Sequence, residues 1–170
     1  MKEQFLNPEK VLEKLNLKEG MVGADFGCGS GGWTIPLAKK IKKVFAIDIL
    51  PEPLSALRGK AKMEKILNID TIKCDVERGT TLISESCDLV LMTNLLFQVE
   101  NIENIFQEAK RVLKKNGIVL VVDWKNNAPI GPEKRIEKEK IKEIAQNLGF
   151  ELKEEFEAGS YHFGLIFLKL

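Results

Sequence analysis

The residues best able to do chemistry lie together near the start of the chain, from Met21 to Trp33: Met-Val-Gly-Ala-Asp-Phe-Gly-Cys-Gly-Ser-Gly-Gly-Trp. A short apolar run ending in Asp25 passes into Gly27, Gly29, Gly31 and Gly32, the pattern of a strand, a tight turn and a helix start. Glycines there let backbone approach a ligand with no side chain in the way, so a nucleotide-like ligand is the chemistry to weigh. Gly27 to Gly32 satisfies the G-x-G-x-x-G fingerprint of dinucleotide binding, and Asp48 stands about 20 residues beyond, where that fingerprint places an acid. Asp25 separates the readings. A carboxylate at the mouth of the loop would repel a pyrophosphate docking at the helix N-terminus, but would attract the ammonium or sulfonium of an amino-acid cofactor. The residues favour a cationic ligand over a dianionic one.

Such a loop needs a strand to deliver it and a helix to receive it. Met21 to Asp25 reads as the strand, and Trp33, Ile35, Leu37, Ala38 and Ile41 repeat as a helical face, with Pro36 tolerated near its start. Upstream, Asn7-Pro8-Glu9 is an N-cap with proline at the first helical position, opening a helix that buries Val11, Leu12 and Leu15 and closes over Leu17 to Gly20. Downstream, Val44 to Asp48 is a continuously apolar strand of the kind covered on both faces in a parallel sheet. A helix from Pro51 to about Ile66, a strand from Ile69 to Cys74 and an irregular connection from Asp75 to Ser86 follow. Next come a strand from Asp88 to Thr93, a helix carrying Ile102, Ile105, Phe106, Ala109, Val112 and Leu113 up to Asn116-Gly117, and a strand from Ile118 to Trp124. A polar loop from Lys125 to Pro132, a helix from Glu133 to Leu148 and two strands, about Leu152 to Phe156 and Tyr161 to Leu168, finish the chain.

This alternation predicts an α/β fold, a Rossmann-like doubly wound sheet of seven mostly parallel strands with helices on both faces. The end departs from the rule: the link between the last two strands is too short for a helical crossover, which predicts an antiparallel hairpin through Ala158-Gly159-Ser160. Sheets of this kind bind ligands beyond the carboxyl ends of their strands, where strand order reverses, and the strand ending at Asp25 is the natural candidate.

At 170 residues and 44% hydrophobic, residues 1–170 are expected to form one domain without a cap domain. The 26 basic residues nearly balance the 25 acidic ones, which gives no electrostatic argument for nucleic acid as a partner. No apolar run approaches the ~20 residues of a membrane span and the N-terminus opens no secretory segment, so the cytoplasm is expected. Cys28, Cys74 and Cys87, odd in number and far apart, suit free thiols. With His162 the single histidine, no metal site is expected.

On these residues the chain resembles the class I S-adenosylmethionine-dependent methyltransferases over nearly its whole length. Their glycine motif, D/E-x-G-x-G-x-G, is matched by Asp25, Gly27, Gly29 and Gly31, the acid ending strand two by Asp48, and the acid after strand three by Asp75. The resemblance implies S-adenosylmethionine as cofactor, S-adenosylhomocysteine as product and no metal. It implies that Asp25 holds the methionine amine, usually through water, and that Gly27, Cys28 and Gly29 pass under the cofactor. Asp48, with Ile49 beside it, would take the ribose hydroxyls, Asp75 or the Val76 backbone the adenine amine, and Asn94 would lie near the methionyl part. Vicinal hydroxyls are two donors, suited to a carboxylate that accepts both. Bland readings stand beside these, Asp75 as an ordinary turn residue and Asn94 as a helix cap.

Thr93 to Val99 and the strand end at Val121 to Lys125 look most like the small-molecule branch that includes quinone-biosynthesis C-methyltransferases. The implied mechanism is direct displacement, in which alignment and dehydration carry much of the rate. Asp123, His162 and Tyr161 are the candidate catalytic residues, Asp123 or His162 as proton acceptors. Trp124, Lys125 and Arg135 are the candidate substrate residues, Arg135 as an anion clamp. The bland readings are packing for Trp124, a satisfied strand residue for His162 and a solvated helix face for Glu133 to Lys140. Lys125 to Pro132 and the segment around Phe5-Leu6 could form a partial lid, or a partner chain such as a second copy in a homodimer could close the site. The alternatives are a macromolecular methyltransferase acting on protein or RNA through an open face, and a non-catalytic cofactor-binding subunit.

Overall fold

The computed structural model describes residues 4–170. Seven strands form one sheet: Val22–Phe26 (β1), Lys43–Asp48 (β2), Ile69–Lys73 (β3), Cys87–Thr93 (β4), Leu113–Trp124 (β5), Phe150–Glu157 (β6) and His162–Lys169 (β7). Their order across the sheet is β3-β2-β1-β4-β5-β7-β6. The first five pair in parallel, and β7 lies antiparallel between β5 and β6. Strand order therefore reverses between β1 and β4, at the end of the strand that carries Asp25. This is the expected doubly wound sheet with its antiparallel hairpin.

The helices are Pro8–Leu12 (α1), Thr34–Ala38 (α2), Pro51–Met63 (α3), Ile102–Val112 (α4) and Lys138–Asn147 (α5). Alternation along the strands assigns each helix to a face. Leu120 and Val122 of β5 pack with Leu12 and Leu37, whereas Val119 and Val121 pack with Phe106 and Ala145. Leu54 and Leu57 meet Ala46 of β2. One face thus carries α1 to α3 and the other α4 and α5. Burying the second face brings Phe106 edge-on against Phe150 and Phe167, at centroid distances of 5.7 and 5.8 Å, a geometry that adds ring-quadrupole attraction to area burial.

Several boundaries differ from the sequence expectation, most of them for a local reason. The first helix keeps its Asn7 cap, whose Oδ1 accepts from Lys10 N–H, but ends in a 3-10 turn at Leu15 because Asn16 turns left-handed. α2 stops at Ala38 rather than Ile41. α4 ends at Val112, not at the Asn116-Gly117 signal: Leu113 already pairs with Cys87, and β5 bulges before Ile118 pairs with Leu89. Gly117 is needed by that bulge, since a Cβ there would meet the Leu113 side chain and Lys114 carbonyl at 2.8 and 2.9 Å. The last helix starts at Lys138 instead of Glu133, because the Arg135 side chain holds the preceding segment in a non-helical loop.

Candidate functional site

β1 delivers Asp25 to the switch point entirely buried. Its Oδ2 accepts from the Thr34 hydroxyl at 2.6 Å, while Oδ1 is enclosed with no hydrogen-bond partner among the described residues. Burial pushes this carboxyl up to about 7, opposed by the Thr34 bond and reinforced by the nearby Asp48 charge. A buried acceptor with nothing to accept from is costly, so the site is built for one more donor.

The glycine loop follows with positive φ at Gly27, Gly29 and Gly31. These glycines differ in purpose. A Cβ on Gly27 would strike Leu95 at 2.7 Å and one on Gly31 would strike Leu57 at 2.3 Å, so both permit close packing. A Cβ on Gly29 would meet no protein atom within 4 Å and would project into open space. Asp48, at the end of β2, closes the loop: Oδ2 accepts from Gly29 N–H at 2.9 Å and Oδ1 from Leu50 N–H at 3.0 Å.

Gly27, Gly29 and Asp48 border a cavity of about 420 Å³, within the range of small-ligand sites. Gly27, Cys28, Gly29 and Trp33 line one side, Ile47, Asp48 and Ile49 the next, Cys74 to Glu77 a third, and Thr93, Asn94, Leu95, Gln98 and Val99 the last. Asp75 accepts from Glu77 N–H at 3.0 Å and so starts a 3-10 turn, Val76–Arg78. Asn94 is left-handed, and its buried Oδ1 has no partner among the described residues. It does not cap the next helix, since Asn101 caps α4 through its bond from Asn104 N–H. Glu77 reaches the same helix start, accepting from the Glu100 and Asn101 amides. The cavity thus offers the enclosed Asn94 Oδ1, a carboxylate on its wall and a face of apolar side chains, with the Asp25 carboxyl buried two residues before Gly27. That set fits a cofactor with an ammonium, two hydroxyls and a flat aromatic base. Among the described residues no group of three or more His, Cys, Asp or Glu side chains is placed to hold a metal.

The candidates for the acceptor side lie outside this cavity, next along the rim. Asn94 N–H donates to Val122 O at 2.8 Å, which joins the end of β4 to β5. Asp123 is buried, with one oxygen accepting from Leu96 N–H at 3.0 Å and the other from Trp124 N–H at 2.8 Å; burial raises it to about 6. It tethers the cavity wall at residues 95–97. Trp124 pairs with His162 across β5 and β7, and their ring centroids are 4.1 Å apart. His162 Nε2 is buried without a partner among the described residues, and burial with Lys125 nearby lowers its pKa to about 4. The imidazole is neutral at pH 7. Tyr161 is buried and its carbonyl accepts from Lys125 N–H. Lys125 Nζ reaches Ser160 O and pairs with Glu157. Arg135 faces carbonyls rather than open space, donating to five of them.

Sequence reasoning missed Thr34, Thr93, Gln98 and Glu77. Thr34 is the first residue of the helix that receives the loop, where a hydroxyl reads first as a cap and not as a partner for Asp25. The others show nothing in residue type alone, because their place depends on how strand ends align.

Residues 24–121 match a family described as a methyltransferase domain. The chain is similar to a ubiquinone biosynthesis O-methyltransferase of Actinobacillus pleuropneumoniae, with 32% identity over 122 residues, 68% of this chain and 52% of the relative. Over 65 residues it is 37% identical to a probable ribosomal RNA small subunit methyltransferase A of Methanosphaera stadtmanae, covering 38% of this chain and 24% of that one. The chain therefore spans about half or less of the length of these curated relatives. A solved structure of an S-adenosylmethionine-dependent methyltransferase from Aquifex aeolicus superposes with a TM-score of 0.89 at 27% identity, over 97% of this chain and 90% of that one.

Proposed function

Because the chain belongs to the methyltransferase-domain family, within the class I S-adenosylmethionine-dependent methyltransferases, we propose that it transfers a methyl group from S-adenosylmethionine to a nucleophilic carbon, oxygen or nitrogen of a small-molecule acceptor. The observation that carries this reading is Asp25, a buried carboxylate whose Oδ1 has no donor among the described residues, beside a glycine loop. The ammonium of an amino-acid cofactor, reached directly or through water, supplies that donor and the counter-charge.

Bound S-adenosylmethionine supplies an electrophilic methyl on a positively charged sulfur. The chain's residues bind and orient it. Each Asp48 oxygen accepts one backbone N–H and keeps a lone pair, so the carboxylate still has room for two ribose hydroxyls. Asp75 or the Val76 backbone takes the adenine amine, Ile49 covers the ribose, and Asn94 Oδ1 serves the methionyl part. Ile47, Val76, Leu95 and Val99 keep water from the reacting centre. Asp123 is buried and does not line the cavity, and His162 is a weak base, so the reaction leans on alignment and dehydration and not on a dedicated base. The acceptor approaches from the side of Trp124, Lys125, Tyr161 and His162.

The ubiquinone-pathway relative supports a small-molecule acceptor and points to oxygen among the three atoms. The archaeal relative favours a second reading, an RNA acceptor. A net charge of +1 counts against it. Calorimetry with S-adenosylmethionine, S-adenosylhomocysteine and NADH tests the first step; binding of NADH alone would overturn the reading. Radiolabelled cofactor in a cell extract tests the second, since label recovered in RNA or protein rather than in low-mass products selects the macromolecular alternative.

A further inference from the structure

Residues 125–137, between β5 and α5, form neither helix nor strand, yet one side chain gathers them. Arg135 Nε donates to Pro132 O at 2.9 Å. Its Nη1 donates to Asn126 O and Ala128 O at 2.8 Å and to Lys125 O at 3.2 Å, and Nη2 donates to Ile130 O at 2.9 Å. Five carbonyl dipoles pointing at one place repel one another unless a cation with several fixed donors sits between them, and a guanidinium is that group. These bonds leave little of its five-donor fork for any anion.

What the loop covers gives this arrangement its purpose. Gly131 has φ of 103°, and a Cβ on it would meet the Trp124 ring at 2.5 Å, so backbone lies directly against the indole. His162 also lies against that indole. At its start the loop is tied through Lys125 to Ser160 and Glu157, and near its end Lys134 Nζ donates to Val99 O at 3.3 Å, on the wall of the cofactor cavity. The loop therefore bridges the cavity rim and the Trp124–His162 pair, one strand over from Asn94.

We propose that Arg135 is a positioning residue: it orders loop 125–137 into the wall of the acceptor site over Trp124 and His162, and does not itself hold an anionic substrate. This rests on the methyltransferase reading for the word acceptor; the ordering of the loop does not. A lysine has one donor atom and cannot span five carbonyls, so Arg135→Lys behaves like Arg135→Ala.

The test compares wild type, Arg135→Ala, Arg135→Lys and Gly131→Ala by hydrogen exchange and by calorimetry with S-adenosylhomocysteine. In the two Arg135 variants the amides of residues 125–131 exchange at least tenfold faster, and millimolar guanidinium, but not sodium at equal ionic strength, restores protection to Arg135→Ala. Gly131→Ala, which keeps the arginine but crowds the indole, loosens the same amides. Affinity for S-adenosylhomocysteine stays within about twofold of wild type in all three. Unchanged exchange in the Arg135 variants would overturn the proposal, as would inorganic phosphate binding that depends on Arg135. Failure of wild type to bind S-adenosylhomocysteine would remove the methyltransferase reading while leaving the exchange result to judge the arginine.

Discussion

Asp25 combines total burial, a single hydroxyl partner and a carboxyl raised to about 7. Below that pH the site holds a neutral acid, and an ammonium ligand must expel the proton to gain its counter-charge. Affinity for S-adenosylhomocysteine is therefore expected to fall by up to about tenfold per pH unit between 7 and 5, with proton release on binding near neutrality. Calorimetry in buffers of different ionisation heat reads both quantities. Asp25→Asn should bind more weakly with an affinity flat across this window, and a flat wild-type profile would count against the role of Asp25. The glycines give a second residue-level contrast. Gly29→Ala adds a Cβ that meets no protein atom, so it should cost about 1 kcal/mol of stability for its left-handed φ yet lower cofactor affinity at least tenfold. Gly31→Ala forces a Cβ into Leu57 and should instead unfold the protein more readily, by about 2 to 3 kcal/mol. Thermal melts paired with titrations separate the two, and equal effects of both variants on both readouts would be the contrary result. The place of Asp25, Asp48 and the glycines at the switch point was legible because it follows from residue type and spacing alone. Thr34 was not, since a hydroxyl at a helix start reads first as a cap.

At the scale of elements, the connection from Gly79 to Ser86 is held by a buried cluster on α4. Glu108 accepts from Thr80 N–H at 2.7 Å, from the Thr80 hydroxyl at 2.6 Å and from Arg111 at 2.6 and 2.8 Å. Arg111 also reaches Leu82 O at 2.8 Å and Ser84 Oγ at 3.1 Å. These contacts outweigh the burial that would otherwise raise the Glu108 carboxyl, which is held below its usual range. Glu108→Ala leaves a partly buried amide and a partly buried guanidinium without their acceptor, so a loss of about 2 kcal/mol is expected. Hydrogen exchange should place the loosening in residues 80–86, and an unchanged melting temperature would argue against it. The helical spacing of α4 was readable, but nothing in that spacing singles out Glu108, whose partners lie on a connection distant in sequence. The last helix shows the same limit: Glu133 to Lys140 has helix-forming composition, yet Arg135 finds five loop carbonyls that no local pattern announces, and the helix waits until Lys138. The β5 boundary was misplaced because Leu113 fits both a helical face and a strand, and pairing with Cys87 decides between them. Element type and order follow from periodicity; where an element stops depends on partners distant in sequence.

For the whole molecule, the buried ionisable groups combine into one stability profile. The folded forms of Asp25 and Asp123 bind protons up to about 7 and 6, whereas the unfolded chain releases them near 3.8. Between those limits the folded state holds more protons, so stability falls as pH rises through the window. His162 works in the opposite sense. Its folded pKa of about 4 lies below 6.5, so between these values the unfolded chain binds the extra proton and stability rises with pH. From pH 7.5 down to 5, two carboxyls gain and one imidazole loses, a net gain of about 2 kcal/mol at ~1.4 kcal/mol per unit. Glu108 and Glu155, held below 4.5, reverse the trend once pH drops under that value. The ligand-free protein is thus expected to melt higher at pH 5 than at pH 7.5, by roughly 5 °C. Asp25→Asn should abolish the decline above pH 6.5 and leave a slight rise with pH, because there the proton taken up by His162 in the unfolded chain outweighs the one held by Asp123 in the fold. S-adenosylhomocysteine, by keeping Asp25 ionised, should raise the melting temperature more at pH 7.5 than at pH 5 and so flatten the profile. A melting temperature that declines steadily from pH 7.5 to 5, with a ligand shift independent of pH, would show that Asp25 is already ionised in the folded protein and that its buried oxygen has found a donor within the chain.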